Sequence, residues 1–115
     1  MNEGITFDSA QSAAEQIYSD IFSTVDTPKD LLSWAKANTI VITDNYGNDL
    51  YDKPTNLDKV KAFVKEIEWE HGDIDDEALK YEDSFKSLIS AIETNNIRAL
   101  TTWYNNNPPS DIRLA

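Results

Sequence analysis

Carboxylates crowd one stretch of this 115-residue chain, the acidic segment (residues 66–83), where nine acids stand with one lysine and one histidine. Such a run could hold a divalent cation, supply a general acid, or present its charge to a basic surface. Like charges held close together weaken a compact fold unless another interaction gains from them, so we take the segment as a candidate binding surface. Its acids, with one aromatic residue off the apolar stripe, are Glu66, Glu68, Trp69, Glu70, Asp73, Asp75, Asp76, Glu77, Glu82 and Asp83.

Catalysis and metal binding find less support in the same residues. His71 is the single histidine, and no Gly-x-Ser-x-Gly elbow accompanies it, so an activated hydroxyl lacks its usual partners. A general-acid carboxyl needs an apolar pocket, and the acids after His71 lack the Gly and Glu spacing of a calcium-binding EF-hand. We expect no enzymatic activity and no cofactor. A metal-dependent hydrolase that uses His71 and the nearby acids is one alternative.

The overall charge restricts the class of partner. With 21 acids, 10 Lys or Arg and a net charge of −11, the chain repels anionic lipid and nucleic acid. We therefore expect no direct nucleic-acid binding and no membrane association, and a basic partner, first of all a nucleic-acid-binding protein or nuclease complex. A homodimer is also possible on the sequence. The absence of cysteine, of a basic N-terminal leader and of a long apolar run predicts a cytoplasmic protein.

Apolar spacing predicts a mainly helical chain. Apolar residues recur every three or four positions in four or five stretches between residues 8 and 104, and they make up 40% of the chain. Thr39–Thr43 is β-branched throughout, and residues 44–48 are rich in turn formers, which predicts a β-hairpin with residues 49–52. The predicted class is α+β: one helical domain over residues 1–107 with a small β-hairpin or sheet, and a flexible tail at 108–115.

The end of the third predicted helix has an unusual order of charge. Three lysines precede Glu66, Glu68 and Glu70, the reverse of what the helix dipole favours, by ~0.3–1 kcal/mol for each exposed charge. Residues 66–71 could instead be extended, because Ile67, Trp69 and His71 alternate with the glutamates. If helical, nine acids over this segment give about one charge per 3 Å, comparable with the ~3.4 Å between phosphates along one DNA strand.

One stretch resembles a known family. The residues that carry the resemblance are 42–47 (Ile-Thr-Asp-Asn-Tyr-Gly), Leu50, Leu57, Val60, Phe63, Ile67 and the Glu70-His71-Gly72 break. Over about a third of the chain they resemble a segment of the ArdA antirestriction proteins, which are acidic DNA mimics. The resemblance implies a small modular fold without catalysis that competes with DNA for a restriction enzyme or another defence complex.

Charge and resemblance together predict an inhibitor from a phage or mobile element that mimics nucleic-acid charge and blocks a DNA- or RNA-binding defence protein of the restriction or CRISPR type. The ten residues of the acidic segment named above would meet Lys and Arg of the target. An immunity or antitoxin-like protein that neutralises a basic toxin is the other alternative, since it would use the same charges.

Overall fold

Five α-helices make up most of the residues that the structure describes. The computed structural model describes residues 7–43, 49–69 and 79–109. The helices in these ranges are α1 (Phe7–Thr24), α2 (Leu31–Lys36), α3 (Asn56–Trp69), α4 (Leu79–Glu93) and α5 (Ile97–Asn106). A short 3-10 helix, Pro28–Asp30, leads directly into α2. Because α3 continues to Trp69, residues 66–69 are helical and not extended; residues 70 and 71 lie outside the described ranges.

The predicted α+β class is wrong, because no β-strand or sheet occurs in the described residues. In place of the hairpin, Thr43 and Asp49 form one isolated antiparallel bridge, and the Leu50 amide donates to the Ile42 carbonyl at 2.9 Å. Residues 39–43 still alternate between exposed and buried side chains, as an extended chain does. The turn predicted at residues 44–48 lies outside the described residues.

A buried side chain takes the place of a second strand beside residues 39–43. Asn56 is fully buried, and its Oδ1 accepts hydrogen bonds from the amides of Thr39 at 2.9 Å and Ile40 at 3.0 Å. Its Nδ2 donates to the Trp34 carbonyl and to Thr39 Oγ1, both at 2.9 Å. Lys59 Nζ donates to the Ile40 carbonyl at 2.6 Å. Side chains of α3 thus satisfy backbone groups that a sheet would otherwise have to satisfy.

The same network reaches α1 through one carboxylate. Asp20 Oδ2 accepts hydrogen bonds from Trp34 Nε1 and from Thr39 Oγ1, both at 2.7 Å. Thr39 Oγ1 in turn accepts from Asn56, so α1, α2, the extended residues and α3 are joined by consecutive hydrogen bonds. Bonds to a charged acceptor are about twice as strong as neutral ones, and this carboxylate makes two.

Local sequence signals set several helix ends. The Thr27 amide donates to the Asp30 carboxylate at 3.2 Å across the 3-10 helix, and the Thr55 hydroxyl accepts from a first-turn amide of α3 at 3.1 Å. After α4, Asn95 takes the left-handed conformation with a φ of 54°, which asparagine tolerates better than most residues. Asn96 then caps α5, its side chain accepting an amide hydrogen bond at 3.1 Å.

The core lies where the apolar faces of α1, α3, α4 and α5 meet. The Phe85 ring of α4 stacks on Tyr18 of α1 with 4.7 Å between ring centroids, and it meets Phe63 of α3 edge-on at 5.6 Å. Trp103 of α5 lies 6.1 Å from Tyr18 and 6.0 Å from Phe22. All of these rings except Phe22 are buried, and Phe22 packs against the same cluster. One aromatic cluster therefore links the first helix to the last.

The chain beyond α5 begins against this core. The Asn107–Pro108 peptide bond is cis, and Asn107 Oδ1 accepts a hydrogen bond from Ser84 Oγ at 2.8 Å. Pro108 and Pro109 are half-buried. Of the tail predicted at residues 108–115, only these two prolines are described, and residues 110–115 lie outside the described ranges.

Asn56→Ala should lower the free energy of unfolding by about 3 kcal/mol, because it leaves the buried amide of Ile40 without an acceptor and removes four hydrogen bonds. Urea unfolding followed by circular dichroism measures the change. Asn105→Ala is the control, since Asn105 is exposed on α5, and should shift the free energy by no more than about 0.5 kcal/mol. Equal effects of the two substitutions would contradict this role for Asn56.

Candidate partner-binding site

Two ion pairs join α3 and α4. Lys61 pairs with Glu93, and Lys86 Nζ lies 3.7 Å from Glu68 Oε1. Seven residues forward along α3, from Lys61 to Glu68, correspond to seven residues back along α4, from Glu93 to Lys86. The two helices are therefore antiparallel.

The two ends of the acidic segment come together around one lysine. Lys86 Nζ lies 3.7 Å from Glu68 Oε1 near the end of α3 and 3.7 Å from Glu82 Oε2 near the start of α4. These carboxylate oxygens are therefore at most 7.4 Å apart, twice 3.7 Å. Residues distant in sequence by fourteen positions thus form one local charge group with a single cation between them.

The structure describes part of the predicted surface. Glu66 and Glu68 lie in the last turns of α3, Trp69 is its last residue, and Glu82 and Asp83 lie in the first turns of α4. Five of the predicted residues lie outside the described ranges: Glu70, Asp73, Asp75, Asp76 and Glu77. His71 lies outside them too. For these five acids, partner binding stays a prediction from sequence.

The described acids differ in how much surface they offer to a partner. Glu68 and Asp83 are exposed, and the Glu68 side chain keeps 48% of its surface accessible. Glu82 is only 4% exposed, because it shares the inward side of α4 with Phe85, one turn further along. Glu66 is half-buried. Exposed carboxylates were expected at all four positions, and the helical faces provide them at two.

The Glu66 carboxylate accepts a hydrogen bond from another residue of the protein. The Tyr51 hydroxyl donates to Glu66 Oε2 at 2.6 Å and ties the chain before α3 to the end of that helix. Burial, followed by the hydrogen bond to Glu66 and the negative charge of that residue, raises the pKa of Tyr51 well above its ordinary value. The unusual glutamate near the C-terminus of α3 therefore has an acceptor role that helix-dipole reasoning does not include.

The two exposed acids that the structure describes within the acidic segment, Glu68 and Asp83, line different grooves. Glu68 lines an open groove between α3 and α4, about 410 Å³ in volume, together with Lys61, Lys65 and Lys86. Asp83 lines a groove of about 550 Å³ between α4 and α5, together with residues that include Arg98. Among the described residues, the acids thus alternate with cations and do not form an uninterrupted negative strip.

The sequence interpretation missed the groups that face the acids. Lys86 stands four residues after Glu82, a spacing that brings side chains together on a helix, so this contact could have been anticipated. The pairing of Tyr51 with Glu66 had no comparable signal, because the two residues are brought together by tertiary packing.

Two functional classes can be checked within the described ranges. No three His, Cys, Asp or Glu side chains there are placed to hold a metal ion together. The helices there are also too short or too polar to cross a bilayer. The metal-dependent hydrolase alternative relies on His71 and its acidic neighbours, which lie outside these ranges.

Comparison with protein-family models, with curated proteins and with solved structures gives no match for this chain. The resemblance to the ArdA proteins consequently rests on the residues quoted for it and stays a prediction.

Alkaline pH should destabilise the protein through Tyr51. Because the folded state keeps the Tyr51 proton above pH ~10 while the unfolded chain releases it, the free energy of unfolding falls as pH rises, by up to ~1.4 kcal/mol per pH unit. Tyr51→Phe should make this fall shallower by about that amount. Chemical unfolding at a series of pH values from 9 to 11 measures the slope, in roughly the range where tyrosine titrates.

Glu66→Gln is the companion variant. It keeps a hydrogen-bond acceptor beside Tyr51 but removes the negative charge, and because burial is the larger cause of the raised pKa of Tyr51, its slope should stay closer to that of the parent protein than to that of Tyr51→Phe. An identical slope in the parent protein and Tyr51→Phe would show that this hydroxyl titrates normally.

Proposed function

We propose that this chain is a non-enzymatic acidic binding protein that occupies the nucleic-acid-binding surface of a basic partner by mimicking phosphate charge. The partner class is a DNA- or RNA-binding defence protein of the restriction or CRISPR type, and the chain acts as its inhibitor. Such an inhibitor suits a phage or another mobile element, whose DNA the defence protein would otherwise bind.

Concentration of charge supports the proposal. The acidic segment has nine acids and one lysine, a net −8 of the chain's −11. The remaining residues have twelve acids against nine Lys or Arg, a net −3. A surface that is acidic only for solubility needs both signs interspersed and no such concentration. A local excess of one sign, by contrast, steers a partner of the opposite sign into a defined orientation.

The observation that carries the proposal is the meeting of Glu68 and Glu82 around Lys86. The packing of α3 against α4 on one core holds a carboxylate oxygen of Glu68 within 7.4 Å of one of Glu82, twice the 3.7 Å from each to Lys86. One lysine offsets one of these two charges, and the net charge of the segment stays strongly negative. A folded scaffold that brings acids from both ends of this segment together is suited to presenting charge to a basic cleft.

Salt and DNA provide the first test. A purified restriction or CRISPR nuclease complex is immobilised, and binding of this protein is measured by surface plasmon resonance across salt concentrations. We expect the association rate to fall about tenfold between low and physiological salt, and double-stranded DNA to compete for the same surface. Binding to such complexes that neither salt nor DNA changes would contradict mimicry. Salt-sensitive binding to a basic toxin, without competition by DNA, would favour the immunity alternative.

Charge reversal tests where the charge acts. Asp75→Lys with Asp76→Lys should slow association with the partner about tenfold at low salt, because it reverses two charges within the acidic segment. The matched control is Asp26→Lys with Asp52→Lys, which changes the net charge equally at two exposed positions elsewhere. The control should slow association only about twofold. Equal effects of the two pairs would mean that net charge alone governs binding.

A further inference from the structure

The extended residues that lack a partner strand read the same in both directions. Thr39, Ile40, Val41, Ile42 and Thr43 form a palindrome centred on Val41. When two such segments pair antiparallel about Val41, every residue lies opposite a residue of the same type: Thr39 opposite Thr43, Ile40 opposite Ile42, and Val41 opposite Val41. A two-fold axis through Val41 would therefore pair the segment with a second copy of itself.

One edge of this segment is already occupied. The Ile40 amide donates to Asn56, the Ile40 carbonyl accepts from Lys59, and the Ile42 carbonyl accepts from the Leu50 amide. Backbone groups alternate in direction along an extended chain, so residues 40 and 42 turn theirs toward the body of the protein. Residues 41 and 43 must turn theirs the other way.

The opposite edge is open. The amide and carbonyl groups of Val41 and Thr43 form no hydrogen bond with any of the described residues. The Val41 side chain is 65% exposed, more than Leu50 or Ile97, the other two large apolar residues exposed in the described ranges. Folded proteins block such edges with charges or prolines, and residues 39–43 include neither.

There is space beside this edge. A groove of about 270 Å³ lies along Thr39 and Val41, and its other wall is formed by polar residues of α1 that include Gln16, Ser19 and Ser23. Small and polar side chains suit the backbone of an incoming strand, which needs ~4.8 Å of separation from its neighbour.

We propose that two copies of this chain pair through this edge as an antiparallel two-stranded ribbon. Val41 lies opposite the Val41 of the second copy, and the two exchange both backbone hydrogen bonds. Each Thr43 amide donates to the Thr39 carbonyl across the axis, which gives four interchain hydrogen bonds. The Thr39 amide takes no part, because it donates to Asn56. The two exposed valines then cover each other on the outer face, a favourable β-branched pair.

The contact between the two exposed valines favours this register, because a shift by two residues would place Val41 opposite Thr43 instead. A shift by one residue would place Ile40 or Ile42 opposite Val41, and the backbone groups of these residues are already bonded within their own chain. A strand from an unrelated protein could use the same edge, but it would gain nothing from the palindrome. Self-pairing is therefore the occupant that the sequence and the hydrogen bonds favour together.

This self-association is independent of the proposed function and responds to salt in the opposite direction. Each copy has a net charge of −11, so the two copies repel each other, and added salt should tighten the dimer. Binding of the acidic segment to a basic partner should weaken under the same change. Failure of either proposal leaves the other one testable.

A single introduced cysteine tests the register, because the chain has no cysteine of its own. Hydrogen-bonded antiparallel pairs place their Cα atoms about 5.5 Å apart, within the range that a disulfide spans. Val41→Cys should form a disulfide-linked dimer under mild oxidation, at least tenfold faster than Ile97→Cys, whose parent residue is 41% exposed on α5. Equal rates for the two variants would overturn the proposed axis.

Val41→Pro tests the hydrogen bonds. Proline removes the Val41 amide, which has no acceptor among the described residues, and the preceding residue is already extended, so the fold of the single chain should be kept. Sedimentation equilibrium should show at least a tenfold rise in the dimer dissociation constant, with unchanged circular dichroism. Val41→Lys serves if the proline variant does not fold, because it places two like charges at the axis. A parent protein that stays monomeric at high salt, or a dimer unaffected by the substitution that folds, overturns the proposal.

Discussion

Asn56 holds the start of the extended residues 39–43 against α2 and α3. One buried amide group accepts from two backbone amides of residues 39–40 and donates to the end of α2 and to a threonine hydroxyl. Such a side chain would be costly to bury without partners, and here every polar atom of it has one. Residues 39 and 40 can therefore lie against the helices without a second strand, and Asp20 of α1 and Lys59 of α3 add further hydrogen bonds to them.

This interaction also explains what could be predicted from the sequence and what could not. Apolar residues at three- and four-residue spacing predicted the helices, and in the structure the side chains of Thr55 and Asn96 accept amide hydrogen bonds from the first turns of α3 and α5. The β-branched run at 39–43 predicted an extended backbone, which the alternating burial agrees with. The hairpin was wrong because hydrogen-bond partners are a tertiary property, and the partner turned out to be a side chain at the start of the next helix.

The candidate site shows the same limit. The sequence indicated where acids accumulate, but the direction of each carboxylate depends on the helix face that holds it. Glu82 turns inward beside Phe85 and Glu66 accepts from Tyr51, whereas Glu68 and Asp83 stay exposed. The sequence shows where along the chain the acids are concentrated. The contact of Lys86 with Glu68 depends on the packing of α3 against α4 and could not be predicted in the same way.

The aromatic contacts between α1 and α5 set an order for assembly during synthesis. Tyr18 and Phe22 leave the ribosome early, yet Trp103 and Tyr104, which cover them, are added some eighty residues later. The Tyr104 hydroxyl also donates a hydrogen bond to the Val25 carbonyl, 79 residues earlier in the chain. The part of α1 that Trp103 and Tyr104 cover therefore stays uncovered in the nascent chain until α5 has left the ribosome.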